Sequence, residues 1–117
     1  MEAGSTQKSS TGLEANIAGL LSYAFGFVSG IVFYVIEKES TYVRFHALQS
    51  ILVFVALVVI NVVLGFIPIL GLLVNILLWP LTAIVWILLM VKAYQGQRFK
   101  LPVVGDIAEK NSALPGK

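Results

Sequence analysis

From residue 45 to residue 91 the chain carries no Asp, Glu, Lys or Arg. A soluble domain cannot be built around such a stretch, because each of its elements must turn a polar face to water. Composition agrees: 12% of the residues are charged, about half the 25% usual in soluble domains. Hydrophobic residues make up 58% and the mean hydropathy is +0.92. The charges are gathered at the ends and in one loop, so the natural solvent for the middle of the chain is lipid.

A helix needs about 20 mostly apolar residues to cross roughly 30 Å of hydrocarbon. Three segments meet that length: 17–36, 46–66 and 71–94. Backbone groups in lipid must be satisfied internally, which allows helices or a closed barrel. Three continuous apolar runs do not alternate as barrel strands do, and three strands cannot close. The predicted fold class is therefore an all-α integral membrane protein, with three transmembrane helices in a small antiparallel bundle. Its 117 residues suffice for one domain, divided into a disordered leader (1–13), a three-helix membrane region (14–96) and a cytoplasmic basic, amphipathic tail (97–117). The leader MEAGSTQKSSTGLE holds one lysine and two glutamates, and the run after it is too long for the core of a cleaved signal. Thr11-Gly-Leu-Glu14 has the capping-box pattern at the predicted start of the first helix.

Three spans put the N-terminus and the second link on one side, and the first link and tail on the other. Lys8 alone would lie on the first side; Lys38, Arg44, Lys92, Arg98, Lys100, Lys110 and Lys117 would lie on the second. The positive-inside rule then makes the tail cytoplasmic and the N-terminus external, in a cell membrane.

Several residues are candidates for packing inside lipid. Gly19, Ser22, Gly26, Ser29 and Gly30 recur at helical spacing in the first segment, and a stripe of small residues lets another backbone approach. The sequence leaves open whether that partner is the second helix or another subunit. Asn61 and Asn75 come level when the chain folds about Pro68, and interhelical amide bonds are worth roughly 0.6–2 kcal/mol. The pair reads as a structural clamp or, alternatively, as the lining of a conduit. Pro80 removes a donor from the third span and predicts a kink. Trp79 and Trp86 flank it near mid-depth and are expected to face protein. Asn75, Thr82 and Trp86 share a face expected to look inward.

The segment RFHALQS, Arg44–Ser50, opens the second span with an unusual concentration of polarity. Arg44 can reach the headgroups or pair with Glu37 or Glu39. His46, Gln49 and Ser50 share one face, so the helix has a polar seam that must point into the bundle or into a partner. A lone histidine here reads as a ligand of headgroup or backbone, with a pH-sensitive gate or partner contact as the alternative.

TGLEANIAGLLSYAFGFVSGI, EKESTYVRFHALQSI and KAYQGQRFKLPVVGDIAEK together resemble the Tic-twenty-like family, small membrane proteins related to a chloroplast import component. The resemblance covers most of the chain. It implies a multi-pass helical membrane protein linked to translocation or membrane assembly, and offers no catalytic residues to carry over.

In the tail, Arg98 and Lys100 are expected to sit near anionic headgroups. Phe99, Leu101, Val103 and Val104 would insert shallowly or pack on the helix ends, and the last residues would be mobile. The absence of cysteine excludes thiolate chemistry. A net charge of +2 gives no case for nucleic acid. No phosphate loop, metal-ligand cluster or intramembrane acid stands out, so neither catalysis, cofactor nor metal is expected. The expected partners are the lipid bilayer and either a homo-oligomer or another membrane protein. The reading is a structural or assembly module, with a link to translocation implied by the resemblance, and with a homo-oligomeric channel or transport element as the alternative.

Overall fold

A computed structural model describes residues 5 to 113; the predicted leader residues 1–4 and the tail residues 114–117, with Lys117, lie outside the described residues. The fold is all-helical: α1 (Ala15–Ala24), α2 (Phe27–Ile36), α3 (Thr41–Leu64), α4 (Pro68–Tyr94) and α5 (Val104–Lys110). Among the described residues, α3 and α4 are the two helices long and apolar enough to cross a bilayer. At 1.5 Å per residue their 24 and 27 residues extend about 36 and 40 Å. Ser40 caps α3 by accepting from the Val43 amide at 3.2 Å, and Pro68 opens α4 where a missing donor costs nothing. Pro80 lies inside α4, which stays helical through it.

The segment 17–36 is not the continuous span the sequence predicts. It is two ten-residue helices, each about 15 Å long, broken at Phe25-Gly26. Gly26 adopts φ +64°, a left-handed conformation that favours glycine. The contacts show that the chain reverses there. Near its start α1 packs Ala15 and Ala18 with Tyr42 and Val43 of α3, and near its end Tyr23 lies with Val53 and Leu89. α2 begins with Phe27 stacked on Phe54 at 4.4 Å. It then returns past Gly30, where an added Cβ would come within 2.9 Å of the Ala47 carbonyl. It ends with Tyr34 and Glu37 beside Arg44. The pair is a re-entrant hairpin whose tip lies about 14–20 Å along α3, level with Ser50 and Phe54.

This reversal overturns the predicted arrangement of the ends. Residues 5–13, expected to be disordered, fold onto the link between α2 and α3. Ser10 donates to the Glu37 carboxylate from its amide at 2.9 Å and its hydroxyl at 2.8 Å, so the leader and first link lie at the same end of the bundle. The capping box does not form: Glu14 is the N-cap without a side-chain bond. Instead, leader carbonyls accept the first α1 amides, Ala15 to Gln7 at 2.8 Å and Asn16 to Ser5 at 2.6 Å.

The C-terminal segment also doubles back. From the end of α4 it runs along α3 towards its middle, where Leu101 and Val104 pack against the cluster around Tyr23, Val53 and Leu89. α5 then climbs back, and the carbonyls of Asn111 and Ala113 reach Tyr34 and Arg44.

Candidate functional site

The polar seam of α3 lies where these doubled-back segments meet. Arg44, His46, Gln49 and Ser50 are all buried. His46 touches no lipid-facing surface; its ring is boxed by Tyr23, Tyr42 and Phe45, with centroids 4.7–5.4 Å away. Its Nε2 lies 3.0 Å from the Gln97 carbonyl. A carbonyl only accepts, so the proton sits on Nε2 and Nδ1 must accept in turn. Tyr23 supplies that proton from its hydroxyl at 2.7 Å. The Tyr23 oxygen then accepts from Gln49 Nε2 at 2.9 Å. The same amide nitrogen donates to the Phe99 carbonyl at 2.9 Å, and Gln49 Oε1 accepts from the Leu101 amide at 3.1 Å. One chain of bonds thus runs from Gln97 through three side chains to Leu101, with its direction fixed by chemistry at one end.

The partners of this seam are backbone groups of non-helical chain. Residues 97–101 follow the end of α4 and have no helical ladder of their own. Backbone polar groups buried without partners cost a large part of a domain's stability, and His46 and Gln49 satisfy three of them. Tyr42 adds its hydroxyl, 2.7 Å from Ala93 O and 3.2 Å from Gln97 O. Arg98 reaches back to Thr41 Oγ1 at 2.9 Å.

Ser50 performs the same service for the hairpin tip, donating to Gly26 O at 3.1 Å. The rest of the break is satisfied by the serines of the small-residue stripe. Ser29 Oγ accepts from the Phe25 amide at 3.1 Å and lies 3.0 Å from Ser22 O, to which it donates. Trp86 Nε1 donates to Tyr23 O at 2.6 Å. Ser22 bonds within its own helix, to Ala18 O at 2.9 Å. The stripe therefore divides by role. Gly19 and Gly30 allow close approach to α3, Gly26 makes the turn, and Ser29 caps it.

Arg44 is not paired with a carboxylate through its described bonds. Its guanidinium donates to Tyr34 O at 2.6 Å, Glu37 O at 3.1 Å and Ala113 O at 3.1 Å, and stacks 4.1 Å from the Tyr34 ring centroid. It ties the end of α2, where the helix dipole favours a cation, to the returning tail. Glu37 is the hub of the leader. Burial pushes its carboxyl pKa up, but four donors to Oε2 outweigh this and hold it below the usual value. The donors are the Ser10 amide and hydroxyl with the Glu39 and Ser40 amides, at 2.8–3.1 Å.

The other predicted sites lie elsewhere. Asn61 donates to Leu57 O of its own helix at 2.8 Å, and Asn75 Oδ1 is buried without a partner among the described residues. No hydrogen bond joins the two among the described residues. Below the hairpin tip α3 and α4 leave a groove of about 540 Å³, lined in part by Gly26, Phe54, Asn61, Trp79 and Thr82. Trp86 faces protein as expected, whereas Trp79 is largely exposed. Sequence reasoning missed Tyr23 and Tyr42, and named Glu37 only as a partner for Arg44. Tyr42 was within reach, since Tyr42, His46 and Gln49 follow i, i+4, i+7 on one face of α3. The role of Glu37 left no signal, because its donors are the Ser10 amide and hydroxyl, 27 residues away, and backbone amides of its own link.

Two long apolar helices, each with a single charge at the same end (Arg44 and Lys92), and a buried polar seam that serves irregular backbone fit an integral membrane protein, as the relatives of this chain are named. The chain belongs to the MamF/MmsF family, described as the magnetosome magnetite crystal formation protein family, whose model matches residues 8–108. A UPF0132 membrane protein of Methanocaldococcus jannaschii is 52% identical over 105 residues, covering 90% of this chain and 94% of the relative. Another, of Archaeoglobus fulgidus, is 45% identical over 98 residues, covering 84% and 95%. No solved structure matches the chain. None of these matches names the Tic-twenty-like family that the sequence resembles; what they support is the coarser content of that resemblance, a small membrane-protein family.

Proposed function

We propose that this chain is a non-enzymatic structural module that assembles with copies of itself or with other membrane proteins. It is anchored by α3 and α4 and presents a folded platform on one face. The observation that carries this reading is the use of the seam. The hydrogen bonds of His46, Gln49 and Ser50 go to the chain's own backbone and to Tyr23, as a scaffold requires and a transport path does not. The family description names magnetite crystal formation in magnetosomes, and the archaeal relatives are named only as membrane proteins. A membrane-resident structural part is compatible with both descriptions.

In this reading two spans replace three. The leader, the α2–α3 link and the C-terminal segment share one face, and the α3–α4 turn lies on the other. Lys8, Lys38, Lys92, Arg98, Lys100 and Lys110 then fall on one side, with no charged residue in the distal turn. The positive-inside rule makes that side cytoplasmic in a cell membrane.

The chain contains no cysteine, so single cysteines can be placed without removing any. Gln7→Cys and Lys38→Cys should react with an impermeant maleimide from the same face, and Phe66→Cys from the opposite one. Labelling of the first two from opposite faces would restore the three-span arrangement. The functional reading is tested by native mass in nanodiscs combined with ion flux in proteoliposomes. A stable assembly without flux is expected; a homo-oligomer that conducts would replace the module by a channel.

A further inference from the structure

The two leaflets would meet very different amounts of this protein. Beside residues 41–53 of α3 lie α1, α2, the last turns of α4 and the returning tail. Beyond the hairpin tip only α3 and α4 continue. A helix is about 10 Å across, so the cytoplasmic half has roughly twice the cross-section of the distal half. The extra width belongs in the leaflet rather than above it. Residues 17–36 carry no charge, and Phe25, Val28, Ile31 and Val35 are exposed on the hairpin's outer surface. Water is excluded as the solvent for that surface by the same burial energetics that make it a membrane segment.

A body wider in one leaflet than in the other fits a bilayer whose wide-side leaflet is stretched. We infer that this protein is a curvature-selective wedge: it partitions into bent membrane with its leader, α2–α3 link and tail on the convex face. Its partner in this activity is a lipid surface of that curvature, recognised by area mismatch and not by headgroup chemistry. The fused arrangement makes the wedge stiff, because the hairpin is bonded at its tip to α3 and α4 and at its base to the leader and tail. The inference rests on the two-span topology proposed above.

The test uses the full chain carrying Lys38→Cys, labelled with a fluorophore and reconstituted in both orientations into vesicles of mixed size. An impermeant quencher separates copies whose wide face points out from those whose wide face points in. Density per lipid should rise by at least about two-fold from vesicles about 200 nm across to those about 30 nm across for outward copies, and fall for inward ones. Each orientation is the other's control, so no destabilised variant is needed. Equal density at all sizes in both orientations would overturn the wedge. Gln7→Cys in the same vesicles reports the topology: same-face labelling with flat densities sinks the wedge alone, whereas opposite-face labelling sinks the two-span topology and the wedge together.

Discussion

The two halves of α3 solve different problems. Its first half, from Thr41 to Val53, is mostly buried and holds Arg44, His46, Gln49 and Ser50. Its second half, from Phe54 to Leu64, has a single polar side chain, Asn61, and turns Val55, Val58, Val59, Val62 and Val63 outward. The difference follows from the neighbours. The first half lies against a broken helix and an extended tail, both with backbone groups that lipid cannot satisfy. Past the hairpin tip, which Phe54 and Leu57 still touch, the second half faces only α4, which is helical throughout, Pro80 included. Polar residues occur where irregular backbone passes, and their absence elsewhere follows from the same rule.

The largest effect should come from breaking the first half at its centre. Gln49→Leu removes bonds to Phe99 O, the Leu101 amide and the Tyr23 hydroxyl at once. At roughly 0.6–2 kcal/mol for each of these three bonds inside a membrane protein, the loss should be about 2–6 kcal/mol. Unfolding in detergent should show it, with the tail beyond residue 96 becoming protease-sensitive first. A change below about 0.5 kcal/mol would mean that the tail is held by apolar packing instead.

Gly30→Leu should cost somewhat less, about 1–3 kcal/mol, by driving α2 away from the Ala47 carbonyl. Its signature is separable: labelling of Phe25→Cys at the hairpin tip should change, while the bonds from His46 to Gln97 and from Gln49 to Phe99 persist. Unchanged tip labelling would show that α2 tolerates a looser fit and that Gly30 is not a contact residue.

These two sites also mark the limit of what the sequence could disclose. Apolar run length made α3 and α4 legible, because a continuous uncharged segment in lipid has few alternatives to a helix. The same criterion misled at 17–36. Run length measures the transfer energy of side chains and is blind to a reversal, which depends on the backbone at Gly26 and on the hydroxyls of Ser29 nearby and Ser50 on α3. Ser22, Ser29 and Ser50 were visible as small polar residues at helical spacing. That Ser29 and Ser50 serve a turn was not, since the carbonyls they bond become free only after the turn exists. The seam was legible as a face and its partners were not, for Gln97, Phe99 and Leu101 take part through backbone atoms that every residue shares. The orientation read from the sequence rests on counting three spans, and the break at Gly26 removes the basis of that count.

Acid offers a gentler way to loosen the first half. Glu37 has its pKa held below the ordinary carboxylate value in the folded protein. Its contribution is therefore present above the unfolded value, about 4.3, and is lost as pH falls through the lower folded value. As pH falls through that lowered folded value the leader should detach from the α2–α3 link while the bundle persists, so amide exchange at Ser10 and Ser40 should accelerate ahead of exchange in α3. Glu37→Gln should weaken the docking at neutral pH and remove the acid step. An acid transition that survives Glu37→Gln would assign it to another group.

The smallest effect should lie in the second half of α3 and the facing part of α4. Asn61 is satisfied by its own helix through Leu57 O, and Asn75 Oδ1 has no partner among the described residues. Replacing both, Asn61→Leu with Asn75→Leu, removes no bond between helices, and it relieves an amide oxygen that apolar surroundings penalise. The expected change in stability is within about 0.5 kcal/mol of zero, on the stabilising side if any. The first half contrasts with this, since there every polar substitution should cost. Thermal unfolding of the double variant beside Gln49→Leu, in the same detergent, measures that contrast directly. If the double variant lost as much as Gln49→Leu, the distal helices would have to meet a partner through these amides. The rule that polar residues follow irregular backbone would then hold for one half of the molecule only.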